Sequence, residues 1–435
     1  MSSSRRPRAV AAAALPLVLF ACERNPLVPP TSTPSAATAS VNAPDRNALA
    51  ALGDKVFNDV SLSLLGNQSC ASCHVEAFGF SSANEAVNAG GSVQPGSIVT
   101  RFGSRRTPTA AYASFTPNLE YDGDEQAWNG GVFWDGRATG ARLGNAAAEQ
   151  AQFPFVNPVE MALPDTACVI FRIAKGSYVE RYVAAWGPSI TRIAFPANSA
   201  QLCSTEGSRI PLSTSDRAQI SREYDRVGIS IAAFENSSAV NQFSSKFDAY
   251  LDGEATLTSL ELTGMRTFDG KAKCNKCHRD TGRHAFFTDF GYDNLGVPAN
   301  PLNPALLADP SFKDPGLGAT LNDRTLLGAV KAPTLRNVDR RGASGSTKSY
   351  MHNGVFKSLE QVVHFYNTRD VLAKCASIPN PQFGVNCWPG PEVEENVNRS
   401  TQIGNLHLSD EEERALVAFM RTLSDGYYSP KAPGH

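Results

Sequence analysis

The chain has no run of Lys and Arg: 40 basic and 42 acidic residues are interspersed over 435, for a formal net charge of −2. That excludes the electrostatic footprint of a nucleic-acid binder. Beyond the first 22 residues no segment is long and apolar enough to span a bilayer. Alternation of apolar and polar residues is confined to short pieces, which excludes a large half-exposed sheet and leaves a mainly α fold with long irregular loops. Histidine is sparse, with seven in all and none between Val75 and Thr100.

What stands out against these absences is a repeated pentapeptide. Cys70-Ala71-Ser72-Cys73-His74 and Cys274-Asn275-Lys276-Cys277-His278 are two copies of C-x-x-C-H, 204 residues apart (274 minus 70). Two neighbouring thiols can form thioethers to a porphyrin edge, and the adjacent histidine supplies the iron with a proximal nitrogen. A redox dithiol or half of a zinc site is the alternative for a single copy. Two complete copies point to two covalently bound haem c groups, with Cys70, Cys73, Cys274 and Cys277 as attachment points and His74 and His278 as iron ligands.

The N-terminus reads as an export signal. Arg5, Arg6 and Arg8 precede an apolar stretch from Ala9 to Ala21, and the sequence Leu19-Phe20-Ala21-Cys22 resembles a bacterial lipobox. Residues 1–21 are expected to be a lipoprotein-type signal and Cys22 the lipidated residue, with an ordinary secretory signal as the alternative. Residues 22–45, rich in Pro, Ser, Thr and Ala, read as a flexible tether. Either signal places the protein in the periplasm or cell envelope, touching the membrane only through the N-terminal lipid. Of nine cysteines, one lipidated and four haem-bonded leave Cys168, Cys203, Cys375 and Cys387. An even remainder in an oxidising compartment implies two disulfides. Neighbourhood favours Cys168–Cys203 and Cys375–Cys387, although three pairings are open.

A helix is expected before each haem motif. Leu49, Leu52, Val56 and Phe57 fall at helical spacing before Cys70, and Leu260, Met265 and Phe268 before Cys274. Ser409-Asp410-Glu411-Glu412 opens a further helix over 409–424 with a capping box and an apolar stripe through Leu416, Val417, Phe419, Met420 and Leu423. Another helix is expected over 225–238. The domain boundary is placed near 215, giving cytochrome c-like haem domains over 46–215 and 216–428, a weak internal duplication.

Five further blocks resemble the bacterial di-haem cytochrome c peroxidases and their MauG-type relatives. They are Arg105-Arg106-Thr107-Pro108-Thr109, Phe133-Trp134-Asp135-Gly136-Arg137, Asn157-Pro158-Val159-Glu160-Met161, Ala332-Pro333-Thr334-Leu335-Arg336-Asn337 and Tyr350-Met351-His352-Asn353-Gly354. The resemblance covers roughly residues 46–425. It implies a peroxidatic haem on His74 and an electron-transfer haem on His278, with Trp134 between them. It also implies a distal trio of Gln150, Pro154 and Glu160, in which the glutamate follows the glutamine by ten residues and the proline by six. Cleaving a peroxide O–O bond requires a proton to leave one oxygen and reach the other, and a carboxylate of raised pKa in an apolar pocket does both. Between Trp134 and Gln150 the chain is longer than the common pattern, running through Gly140-Ala141-Arg142-Leu143-Gly144.

Two departures from the classical pattern set the branch. The second histidine that blocks the resting peroxidatic iron in classical members is missing from Val75 to Thr100, so the first haem is expected to be open. The seventeenth residue of the segment beginning at Tyr350 is Tyr366, where classical members have the axial methionine. Tyrosine there is the MauG-type pattern, and a hard phenolate donor favours the ferric and higher states. His364, two residues away, is the competing ligand. The interdomain calcium of the family is left open. Its asparagine ligand is replaced by Arg106, which cannot ligate calcium, while carbonyls near Thr347 and Ser349 remain and Arg106 is the candidate to replace the charge.

The leading function is an H2O2-dependent di-haem oxidase that stores oxidising equivalents over both haems and passes them to a protein substrate. A peroxide-scavenging enzyme served by a small redox protein and a non-enzymatic electron carrier are the alternatives.

Overall fold

The computed structural model describes residues 44–342 and 345–428. The expected signal segment, Cys22 and the tether up to residue 43 lie outside the described residues. Among the described residues no helix is long and apolar enough to cross a membrane.

The two halves repeat one scaffold, a leading helix crossed by a closing helix. In the first half the leading helix is Arg46–Phe57, capped by the Asp45 side chain on Asn47 N–H at 3.0 Å. Its stripe of Leu49, Leu52, Val56 and Phe57 is buried. The closing helix is Thr214–Glu235, which contributes Ile220, Val227, Ile231 and Phe234 to the same core. They cross at Gly53, where a Cβ would overlap the Ser230 carbonyl and lie 2.8 Å from Phe234 Cβ. In the second half Ser259–Asp269, capped by Thr258 and Glu261, crosses Asp410–Arg421, capped by Ser409 and Glu412. The crossing residue is Gly264, whose Cβ would overlap the Ala415 carbonyl and lie 2.8 Å from Phe419 Cβ. Both pairs approach so closely that only glycine fits.

The expected boundary near 215 falls at the start of the closing helix. The helix over 214–235 closes the first half rather than opening the second, because its apolar face packs on Arg46–Phe57. The first core runs through Val240 and the second begins at Phe247.

Strand content is slight: Glu120–Asp122 pairs antiparallel with Ala127–Asn129, Tyr292–Asp293 antiparallel with Val330–Lys331, and Ala373–Lys374 parallel with Cys387–Trp388. Disulfides join Cys168 to Cys203 in the first half and Cys375 to Cys387 in the second. The halves are tied by buried polar contacts. Arg105 donates to both oxygens of Asp314 at 2.6 and 2.7 Å. Tyr112 and Asn337 both donate to Asp425, at 2.7 and 2.8 Å.

Candidate functional site

Each C-x-x-C-H motif borders its own cavity. Cys70–Cys73 is a single helical turn whose N-cap is Ser69, and His74 follows it. His74 Nδ1 lies 3.0 Å from Phe80 O, and His278 Nδ1 lies 2.9 Å from Phe287 O. A carbonyl only accepts, so Nδ1 carries the proton in both rings and Nε2 keeps the lone pair that an iron ligand requires. Burial lowers the pKa of both imidazoles against these hydrogen bonds, which keeps them neutral.

The Thr-Pro-Thr and Ala-Pro-Thr blocks build those carbonyls. Phe80 and Phe287 sit at φ of 54° and 53°, a left-handed conformation uncommon outside glycine. Thr109 Oγ1 donates to Gly79 O and Thr334 Oγ1 to Phe286 O, each at 2.6 Å. Ala110 N–H and Leu335 N–H then share the Phe80 and Phe287 carbonyls at 3.0 and 3.3 Å. The two blocks therefore orient the two histidines in the same way.

Among the described residues the four motif cysteines remain unpaired while the other four form disulfides. Burial pushes the Cys73, Cys274 and Cys277 thiols up to about 12 and raises Cys70 as well. Such thiols stay protonated in the absence of a bound partner. Among the described residues no three His, Cys, Asp or Glu side chains gather as a metal site. Two thiols and one neutral histidine beside an apolar-walled cavity fit covalent haem c twice over.

The first cavity brings together the whole distal trio. Gln150 ends the helix Ala146–Gln150, Pro154 lies in Phe153–Val156 and Glu160 in the turn that follows, and all three line the cavity with Cys70, Cys73, His74 and Trp134. Burial raises the Glu160 pKa, opposed by the Arg137 charge and a hydrogen bond with Asn157. No histidine other than His74 lines this cavity. The extended loop after Trp134 is folded down by Glu149, which accepts from Gly140 N–H at 2.9 Å and Leu143 N–H at 2.8 Å.

Two residues of this cavity were not singled out in the sequence. Arg137 donates through Nη1 to both oxygens of Asp135, at 2.9 and 3.0 Å, and its guanidinium lies 3.7 Å from the Phe133 ring centroid. Its only sequence signal was membership of the Phe133–Arg137 block. Glu235, on the last turn of the closing helix, is buried and pushed up to about 8 by that burial. Nothing in its sequence neighbourhood marks it.

The second cavity places Tyr366 with Cys274, Cys277 and His278. Tyr366 lies on the helix Leu359–Thr368. Burial raises its pKa, with Cys277, Cys274 and Asp293 adding to the effect, so the phenol keeps its proton until a cation takes that proton's place. His364 does not line the cavity; its Nδ1 lies 3.0 Å from Glu413 Oε1 and its ring packs against Trp388. One helix thus sends the two competing side chains to different surroundings.

Trp134 lines both cavities, together with Arg106, Pro108 and Thr109. Its Nε1–H donates to Arg106 O at 2.9 Å, and its ring meets His352 edge-on at 6.5 Å.

Comparison with known proteins agrees with this geometry. A family profile described as "Di-haem cytochrome c peroxidase" matches residues 47–256. The methylamine utilization protein MauG of Paracoccus denitrificans is 33% identical over 91% of this chain and 94% of its own length. Cytochrome c551 peroxidase of Nitrosomonas europaea is 28% identical over 74% of this chain and 73% of its own. Among solved structures, the diheme peroxidase BthA of Burkholderia thailandensis superposes with a TM-score of 0.69 at 30% identity, covering 90% of this chain and 89% of that one.

Proposed function

The chain belongs to the family of di-haem cytochrome c peroxidases and MauG proteins, and from that premise we propose a MauG-like oxidase that reacts with H2O2 at the first cavity and oxidises a protein substrate by long-range electron transfer. The observation that carries this reading is Tyr366, which shares the second cavity with His278 where a methionine would serve an electron-accepting site. Haem at each site, when bound, supplies the iron that is oxidised by peroxide.

The chain's own residues do the rest. Cys70, Cys73, Cys274 and Cys277 are the thioether points, with His74, His278 and Tyr366 as the protein ligands. Gln150 orients peroxide through its amide. Glu160 takes the proton of the oxygen nearest the first site and returns it to the departing oxygen, so that water leaves. Its raised pKa, set by burial against the pull of Arg137, suits a group that must both accept and donate. Pro154 presents a side wall that cannot donate a hydrogen bond. Trp134, touching both cavities, links them electronically and passes oxidising equivalents between the halves.

Residues 1–22 and the two disulfides support a cell-envelope location with lipid attachment through Cys22. An electron carrier would have no use for the Gln150, Pro154 and Glu160 cluster. A scavenger fed by a small cytochrome is the reading favoured by the Nitrosomonas relative. Peroxide added stoichiometrically to the two-haem protein without reductant separates the readings. Retention of two oxidising equivalents that a tryptophan-bearing protein discharges supports the MauG-like one. Rapid turnover with a reduced small cytochrome contradicts it.

A further inference from the structure

Among the described residues Arg106 is the one cationic side chain that lines both cavities. Its backbone is held at each end, by N–H donation to His352 O at 2.7 Å and by acceptance from Trp134 Nε1 at 2.9 Å. Its Nε donates to Met351 O at 3.0 Å. No carboxylate among the described residues pairs with it, whereas its neighbour Arg105 is paired with both Asp135 and Asp314. Burial, opposed only by Tyr350, pulls the guanidinium down to about 10. A guanidinium held between two cavities without a counter-charge is costly unless an anion arrives with the ligand. Haem carries two carboxylates, and the cavities on either side of Arg106 are the two haem sites of the reading above, on which this inference rests.

The residues around Arg106 do not fit the divalent cation that the family resemblance implies. Calcium takes six to eight oxygen ligands, drawn from carboxylates, backbone or amide carbonyls and water. Here the position of the asparagine ligand is a cation. The Thr347 carbonyl already accepts from Asn88 Nδ2 at 3.0 Å. A second buried cation lies close by in the fold. Lys348 Nζ donates to Phe78 O at 3.3 Å, Asn337 O at 2.9 Å and Arg340 O at 3.0 Å, so three carbonyls from the two halves converge on an ammonium group. The repulsion between Lys348 and Arg106 adds to the burial that pulls Lys348 down to about 7. A calcium ion would add two more charges to this already cationic place.

We propose that Arg106 takes the part of a metal ion between the halves: its guanidinium binds carboxylates of the haems at both sites, fixes them about Trp134, and the protein uses no calcium there. Arginine suits this role because its planar fork can serve two carboxylates at once. Its carbon Cζ also lies 5.6 Å from the Trp134 ring centroid, so one charge acts on both sites and on the indole between them.

The test uses the two-haem protein. Elemental analysis after EGTA treatment and gel filtration is expected to find calcium far below one per chain, with absorption spectrum and thermal midpoint unchanged by EGTA or by added calcium. Arg106→Met removes a positive charge shared by both sites, so both haem midpoint potentials fall together, and Arg106→Lys restores part of the fall. A merely structural role would not move both potentials in one direction. Stoichiometric calcium that resists EGTA, or potentials unmoved in Arg106→Met, overturns the proposal. The calcium analysis stands even where the methionine variant does not fold. Two haems with peroxide reactivity and bound calcium would sink this inference and leave the functional reading intact. Fewer than two haems would sink both.

Discussion

The two halves of the molecule share a scaffold and differ in the side chains that line their cavities. Both have a glycine at the helix crossing, a phenylalanine carbonyl in left-handed backbone orienting the motif histidine, and a threonine bracing that turn. The first cavity is lined by an amide, a proline and a carboxylate of raised pKa. The second is lined by a buried phenol. A duplicated frame thus carries two different linings, and on the function proposed above one site moves protons while the other only binds. Trp134, in the wall common to both, belongs to neither alone.

If that division is right, its largest test lies in the first half. Glu160→Gln keeps volume and hydrogen-bonding shape but cannot accept a proton. We expect both haems to remain and the peroxide reaction to slow about a hundred- to ten-thousand-fold in stopped-flow mixing. Trp134→Phe should leave that step fast and weaken communication between the halves. A Glu160→Gln protein reacting at the parent rate would erase the distinction. The pH dependence has a defined sign. Because burial raises the Glu160 pKa, the rate should climb with pH through a value above that of an ordinary glutamate. Arg137→Gln removes the opposing charge and should move that limb higher.

The disulfides sharpen the comparison at the level of stability. Cys168–Cys203 closes a separation of 35 residues and Cys375–Cys387 one of 12. On chain entropy alone their loss should cost about 4 and about 3 kcal/mol respectively. Paired serine variants measured by denaturant titration check the order, which would reverse if the second half depended more on its crosslink.

A smaller effect tests the join between halves. Burial alone would raise the Asp314 pKa, but the hydrogen bonds and charge of Arg105 outweigh it and hold the carboxyl down to about 2. A carboxylate depressed in the folded state stabilises above its unfolded pKa, and that stability is lost as pH falls through the folded value. The window runs from about pH 4 to about 2 and is worth about 2 kcal/mol. Asp314→Asn should flatten the acid limb of the stability curve by this amount.

Much of this was legible in the sequence because it was local. The haem motifs, both leading helices and the Ser409 capping box lie in contiguous residues, and the alignment of Tyr366 depends only on counting from Tyr350. The closing helix of the first half was not legible as such. Its apolar face says that it packs, not on which neighbour. Arg137, Glu149, Glu235 and Lys348 were missed for the same reason. A charged residue acquires meaning from what buries it, and burial is set by the packed fold: Lys348 is capped by Phe78 O from the other half, while Arg137 and Glu149 meet near neighbours only once their loops have folded. The carbonyls of Phe80 and Phe287 act through backbone geometry, which side-chain identity does not announce.

The account stands on the second site being bound by tyrosine where the first has only its proximal histidine. Low-temperature electron paramagnetic resonance of the ferric two-haem protein, before and after Tyr366→Phe, tests this most directly. The account predicts that the low-spin ferric signal is lost or displaced in the variant while the high-spin signal of the first haem persists. A low-spin signal identical in both proteins would show that another side chain binds the second iron, and the contrast between the halves would have to be drawn elsewhere.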